Sequence, residues 1–121
     1  MKLWTGIVTE KVRESRDFYT RLFGCEVVFD SDWFVLLQLG GAELGFLAPG
    51  LDSQAPPFRR PFHGDGIWVA IDVEDVDAEY ARLCELGVPI EVEIRDEPWG
   101  DRHFVVRDPN GIPIDIVRHA S

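Results

Sequence analysis

Apolar residues in this chain alternate with polar or small ones in a series of short runs, and fall at helical spacing in two others. The clearest alternation is near the end. Ile112, Ile114 and Ile116 are separated by Pro113 and Asp115, which predicts a strand with an aliphatic face and Asp115 on the opposite face. Phe104-Val105-Val106 precedes it as a second β-prone run. Asp108-Pro109-Asn110-Gly111 lies between them. Proline presets φ and glycine accepts positive φ, so this segment predicts the turn of a closing hairpin over 102–107 and 112–117. Asp108 is expected to accept backbone N–H groups in that turn.

Earlier in the chain, residues 4–9 predict a strand with Trp4, Gly6 and Val8 on one face and Thr5 and Ile7 on the other. Residues 10–14 read as a polar turn. Phe18, Tyr19, Leu22 and Phe23 fall on one helical face, so a helix is expected over 15–23, closed by Gly24. Strands follow at 25–29, at 33–39 from Trp33, and at 43–47. The pattern then restarts. A strand spans 67–73, Glu74-Asp75 supplies a cap, and Val76, Tyr80, Leu83 and Cys84 form a helical stripe ended by Gly87. A strand at 88–94, a loop at 96–101 carrying Trp99, and the closing hairpin complete it.

The restart is a repeat. Trp4, Ile7, Glu10 and Val12 recur at one constant offset as Trp68, Ile71, Glu74 and Val76. Tyr19, Leu22 and Gly24 recur as Tyr80, Leu83 and Gly87, and Gly41 and Leu44 as Gly111 and Ile114. Small drifts with matching residue classes are what duplication followed by loop changes leaves. The fold class expected is α+β: two βαβββ modules, residues 1–47 and 65–121, forming a curved eight-stranded mixed sheet in one domain of 121 residues. The joining segment, 48–64, holds Pro49, Pro56, Pro57 and Pro61 beside Gly50 and Gly64. It reads as a crossover loop, long enough to be packed or functional.

Composition narrows the partners. The net charge is −10, from 12 basic and 22 acidic residues. That argues against nucleic acid or an anionic membrane and suits a cationic ligand, or solubility alone. The two cysteines, Cys25 and Cys84, lie outside any CxxC motif and are expected as free thiols. No apolar run is long enough to span a membrane. The strand-like start leaves no room for a signal peptide, so a cytoplasmic protein is expected.

Three runs carry a family resemblance. Glu14-Ser15 through Phe18-Tyr19 to Leu22-Phe23-Gly24 is similar to the first helix of the vicinal-oxygen-chelate superfamily. This superfamily includes glyoxalase I, extradiol dioxygenases, and the fosfomycin and bleomycin resistance proteins. Asp75-Val76-Asp77-Ala78 to Leu83 resembles its second helix. Pro98-Trp99-Gly100-Asp101-Arg102-His103-Phe104 to Gly111 resembles its second-module signature. The resemblance implies a concave sheet whose first and last strands supply ligands to a divalent ion, with open positions for the paired oxygens of a substrate. At the positions it assigns, this chain has Trp4, Trp68, Gly45 and Asp115. Only Asp115 can ligate, so no metal cofactor is expected. An alternative set drawn from Asp115, Glu43, Asp72 and His103 would carry a divalent metal ion instead.

Aromatic chemistry is the other use of such a face. There are four tryptophans, and each offers a large flat surface that attracts cations. Trp4 and Trp68 either fill the concavity or bind ligand there. Trp33 and Trp99 sit at loop edges, where contact with a ligand or a partner subunit is expected. Asp30-Ser31-Asp32-Trp33-Phe34 and Phe46-Leu47-Ala48-Pro49-Gly50 resemble the matching part of bleomycin-resistance-type proteins, which are small acidic dimers that sequester a cationic drug. The reading is therefore a homodimeric, metal-free small-molecule binder, with an antibiotic as one candidate ligand and Trp4, Trp33, Trp68, Trp99, His103 and Asp115 as candidate ligand contacts. The alternative is a superfamily lyase, isomerase or dioxygenase, with His103 as general base and Asp115 beside it. Arg102 and Arg107 are expected to pair with Asp96, Asp101 or Asp115.

Overall fold

A computed structural model describes residues 1–120. The chain divides into two compact units, Met1–Gly64 and Asp65–Ser121. Each is a βαβββ module with its own four-stranded mixed sheet.

In the first unit, β1 (Thr5–Val8), α1 (Val12–Phe23), β2 (Glu26–Asp30), β3 (Phe34–Leu39) and β4 (Ala42–Leu47) follow in order. The sheet runs β1-β4-β3-β2, with β1 parallel to β4 and the other pairs antiparallel. Alternation decides what each face does. Ile7, Val35, Leu37 and Phe46 point to the helix side and are buried with Val12, Tyr19 and Leu22 of α1. The Tyr19 ring lies 5.5 Å from that of Phe46. Gly6, Gly45, Leu36 and Phe34 take the opposite, open face, where Gly6 pairs with Gly45 and Gly45 with Leu36.

The helix begins at Val12, almost a turn earlier than the spacing predicted. Val12 is itself a buried member of the stripe, and Ser15, expected near the helix start, is buried within it. Lys11 provides no side-chain cap; instead the Thr9 hydroxyl accepts the Lys11 N–H at 2.9 Å, holding the entry turn. Gly24 ends the helix with φ 68°, as a left-handed residue should. At its outer side, Arg13 and Arg16 reach Asp30 at 2.8 and 2.7 Å and tie α1 to the end of β2. β2 is the sheet edge. All five of its residues are exposed, Val27, Val28 and Phe29 among them.

The 48–64 segment is built, not loose. It contains a short 3₁₀ turn, Pro56–Phe58, and the Arg59 guanidinium donates to the Gln54 carbonyl. The Phe62 N–H then donates to the Val8 carbonyl at 2.7 Å, covering the outer edge of β1.

The second unit repeats the plan with β5 (Val69–Asp72), α2 (Val76–Glu85), β6 (Val92–Asp96), β7 (Arg102–Arg107) and β8 (Pro113–Arg118), in sheet order β5-β8-β7-β6. Phe104, Val106, Ile114 and Ile116 face α2 and are buried with Val76 and Leu83. The Tyr80 ring meets Phe104 edge to face at 5.0 Å. Asp75 caps α2, accepting the Ala78 N–H at 3.0 Å. Cys84, counted in the helical stripe, is exposed. The strand expected at 88–94 starts only at Val92. The Val88 N–H is used by the Leu83 carbonyl at the helix end, and Pro89 has no N–H to give a ladder. Asp108 does hold the hairpin turn, accepting N–H groups from Asn110 and Ile112. Arg102 pairs with Asp96, as expected, and with Asp77 of α2. Arg107 pairs with Glu91 and donates to the Gly111 carbonyl.

Candidate functional site

The open face of each sheet carries the candidate chemistry, and register makes the two faces comparable. On the first, Leu36 lies opposite Gly45 and Phe34 opposite Leu47. On the second, Val105 lies opposite Asp115 and His103 opposite Val117. Phe34 and Gly45 therefore occupy the places that His103 and Asp115 occupy in the other module.

In the first module the pair is apolar. A Cβ on Gly45 would lie 3.0 Å from Phe34 Cε1 and 3.1 Å from Trp4 Cζ3, so both rings rest directly on this glycine. Trp4 meets Phe34 edge to face at 6.3 Å, and Phe34 also meets Phe29 and Trp33, each at 6.0 Å. Phe34 is thus the hub of a four-ring platform. Trp4, Phe29 and Trp33 remain close to half-exposed. Phe29 joins because β2 carries a bulge. Val27 pairs with Leu37 but Phe29 pairs with Leu36, leaving Val28 as the extra residue. A bulge at a sheet edge re-aims the side chain that follows it.

In the second module the pair is polar. His103 Nδ1 lies 2.6 Å from Asp115 Oδ1, and Nε2 lies 2.7 Å from Glu97 Oε2. The contact with Asp115 is diagonal across β7 and β8, within reach for side chains on one face. Glu97 arrives through a second bulge. Val92 pairs with Val105 but Arg95 pairs with His103, so Arg95 and Glu97 share the histidine's face, and Arg95 reaches Glu97 at 3.0 Å. The His103 side chain is only 16% exposed. Its burial disfavours charge, but the hydrogen bonds with Glu97 and Asp115 outweigh that and hold its pKa above the ordinary histidine value. The bond from His103 in turn outweighs desolvation at Glu97 and lowers the pKa of that carboxyl. A doubly bonded imidazolium has no lone pair to receive a proton. Once protonated, His103 is an acid held between two bases.

Trp68 and Trp99 are both largely exposed; Trp99 Nε1 donates to Asp101 at 3.1 Å. Asp72 bonds His119 Nε2 at 2.8 Å, at a cleft of about 800 Å³ lined also by Glu74, Gly100 and Arg118. Glu43 pairs with Lys2. Of the alternative metal set, Glu43 and Asp72 have other partners, and His103 and Asp115 hold each other. The first-strand residues beside Gly45 and Asp115 are Gly6 and Ala70, neither of which has a side-chain ligating atom. Among the described residues no group of three His, Cys, Asp or Glu side chains is arranged to hold a metal ion.

Glu97, Phe29 and Phe34 were not singled out from the sequence. Phe34 was signalled by its alternation with Val35. Phe29 and Glu97 depend on bulges, which strict alternation hides.

Comparison with known proteins agrees with the architecture. The profile of the Glyoxalase/Bleomycin resistance protein/Dioxygenase superfamily matches residues 3–116. A lactoylglutathione lyase from Agrobacterium tumefaciens superposes with TM-score 0.79 at 22% identity, over 96% of this chain and 92% of that one. TioX from Micromonospora sp. ML1 superposes with TM-score 0.73 at 23% identity, over 98% and 99%. At these identities the likeness is one of fold. An uncharacterised protein of Mycobacterium bovis, Mb0911c, is 38% identical over 48 residues, 40% of this chain and 32% of that protein; the match thus spans about a third of its length. Among the described residues no helix is long and apolar enough to cross a membrane. With both modules matched from the first strand to the last, the chain belongs to the glyoxalase/bleomycin resistance protein/dioxygenase superfamily.

Proposed function

We propose that this protein is a metal-free small-molecule binder that takes a flat, cationic organic ligand, such as an antibiotic, on the aromatic platform of its first module. The observation that carries this reading is the seating of Trp4 and Phe34 on Gly45. Three side chains exposed in one patch, around a ring hub and over a glycine floor, form a continuous aromatic surface. Exposed apolar surface of this kind marks binding sites more often than chance exposure does. Tryptophan faces attract cations, and a net charge of −10 favours them at longer range. The protein is proposed to act as a homodimer in the cytoplasm, and light scattering at micromolar concentration tests the dimer.

The direct test is titration with flat cationic drugs, bleomycin type first, followed by tryptophan fluorescence. Trp4→Ala is expected to weaken binding at least about tenfold, equivalent to about 1.4 kcal/mol. Trp99→Ala, in the second module, serves as the comparison. Unchanged affinity in Trp4→Ala would rule the platform out.

A second reading rests on His103. An imidazolium held by Glu97 and Asp115 can donate a proton to a substrate oxygen, which would make the protein a superfamily lyase or isomerase that works without a metal. Asp115→Asn should then abolish turnover in glyoxalase-type and dioxygenase assays while the fold is retained. Absence of turnover in the wild type across both assay classes would remove this reading.

A further inference from the structure

The platform has a charged neighbour. Residues Glu43, Gly45 and Leu47 of β4 share the open face, so Glu43 stands one pleat repeat, about 7 Å, from the glycine on which Trp4 and Phe34 rest. Its side chain is 11% exposed. A carboxylate so withdrawn from water needs a cation or hydrogen bonds, and the cation it has is Lys2 Nζ, at 2.5 Å. The two partners are unequal. Glu43 is fixed in the middle of a paired strand. Lys2 is 61% exposed, lies before the first strand, and sits between Met1 and Leu3, which are exposed too. A long side chain on such a segment is exchanged at little cost, whereas the carboxylate cannot move away.

We infer that Glu43 is the anionic anchor for the cationic group of the ligand, and that Lys2 holds that place in the free protein. This rests on the platform reading above and narrows it. The ligand class is an aromatic organic cation whose ammonium, amidinium or ring N–H lies at the edge of a flat ring system, within one pleat repeat of its stacked face. When it binds, Lys2 Nζ leaves for water and the ligand's N–H groups take over the Glu43 oxygens. No covalent bond changes. The exchange conserves the ion pair, so the anchor favours a cation over its neutral isostere without leaving a buried charge unpaired.

The test uses the full chain at neutral pH and low salt, with proflavine as the flat cation and acridine as its uncharged counterpart. Binding is followed by calorimetry. The wild type is expected to prefer proflavine by about tenfold or more, the range for a hydrogen bond to a charged group. Glu43→Gln should erase that preference and leave acridine affinity unchanged. Lys2→Met, which removes the competitor and keeps Glu43, should tighten proflavine selectively. A preference that survives Glu43→Gln, or proflavine affinity unmoved by Lys2→Met, overturns the anchor while leaving the platform intact. Failure of both probes to bind the wild type overturns the platform and the anchor with it. Circular dichroism of each variant confirms that the fold is unchanged.

Discussion

Phe46 and Phe34 lie on adjacent strands of the same sheet but on opposite faces, and this sets up a sharp test. Phe46 is 0% exposed and packs on Tyr19. Truncation to Ala removes a full ring from a closed layer and leaves a cavity between β4 and α1, a change that costs about 3–5 kcal/mol. Phe34 is only partly buried and borders water. Its truncation loses partial burial and ring contacts, about 1–2 kcal/mol, with no closed cavity to add. Unfolding entropy of about 2.1 cal/mol/K per residue converts these costs to Tm losses of about 12–20 °C for Phe46→Ala and about 4–8 °C for Phe34→Ala. The assay is thermal unfolding by circular dichroism, beside ligand titration of each variant at a temperature where both are folded. Phe46→Ala should bind nearly as the wild type does, and Phe34→Ala should not. Equal Tm losses, or binding lost in Phe46→Ala and kept in Phe34→Ala, would refute the assignment of the two faces.

Two further predictions concern the second module. Because native His103 holds its proton more tightly than the unfolded chain does, its contribution to stability is complete below the ordinary histidine pKa of about 6.5 and is lost as pH rises through the higher native value. The Tm gap between wild type and His103→Gln should therefore shrink as pH rises above neutrality. The measurement is best made in a His119→Gln background, since His119 is also raised by its bonds to Asp101 and Asp72; a gap that widened with pH would contradict the clamp. Asp75→Ala should remove the cap of α2 and lower stability by about 1 kcal/mol, or about 4 °C in Tm. Asp75→Asn, which keeps an acceptor oxygen, should recover most of that in the same thermal scan.

Much of the fold was legible in the sequence because duplication shows each element twice. Residues matched at constant offset, such as Trp4 with Trp68 and Ile7 with Ile71, fix the module boundaries even where a single run is ambiguous. The start of α1 was less legible, since Lys11 lacks a capping side chain and the Thr9 hydroxyl acts from outside the helix. At the candidate site the sequence singled out His103 and Asp115, whose faces follow from simple alternation on unbroken strands, and Trp4, just before β1. It did not give Glu97 or Phe29. Counting by twos from Val92 places Ile94 opposite His103 and turns Glu97 away; the bulge in β6 reverses that parity. The bulge in β2 does the same for Phe29. Neither contains a glycine or proline to mark it, so one inserted residue on each edge strand hides one member of each cluster.

β2 has a further consequence. An edge strand whose five residues are all exposed, with Val27, Val28 and Phe29 at its centre, presents unsatisfied backbone donors and acceptors to any other extended chain. Apart from the bulge at Val28, little in the strand discourages such an encounter: it has no proline and no lysine, and the acids at its ends, Glu26 and Asp30, leave the apolar middle clear. Long-range repulsion between acidic molecules opposes pairing through this edge. That protection fades as the medium approaches the sequence pI of about 4.6, and high salt screens it at any pH. Colloidal behaviour and strand geometry are linked in this protein, and the acidity that suits a cationic ligand also guards its most adhesive edge.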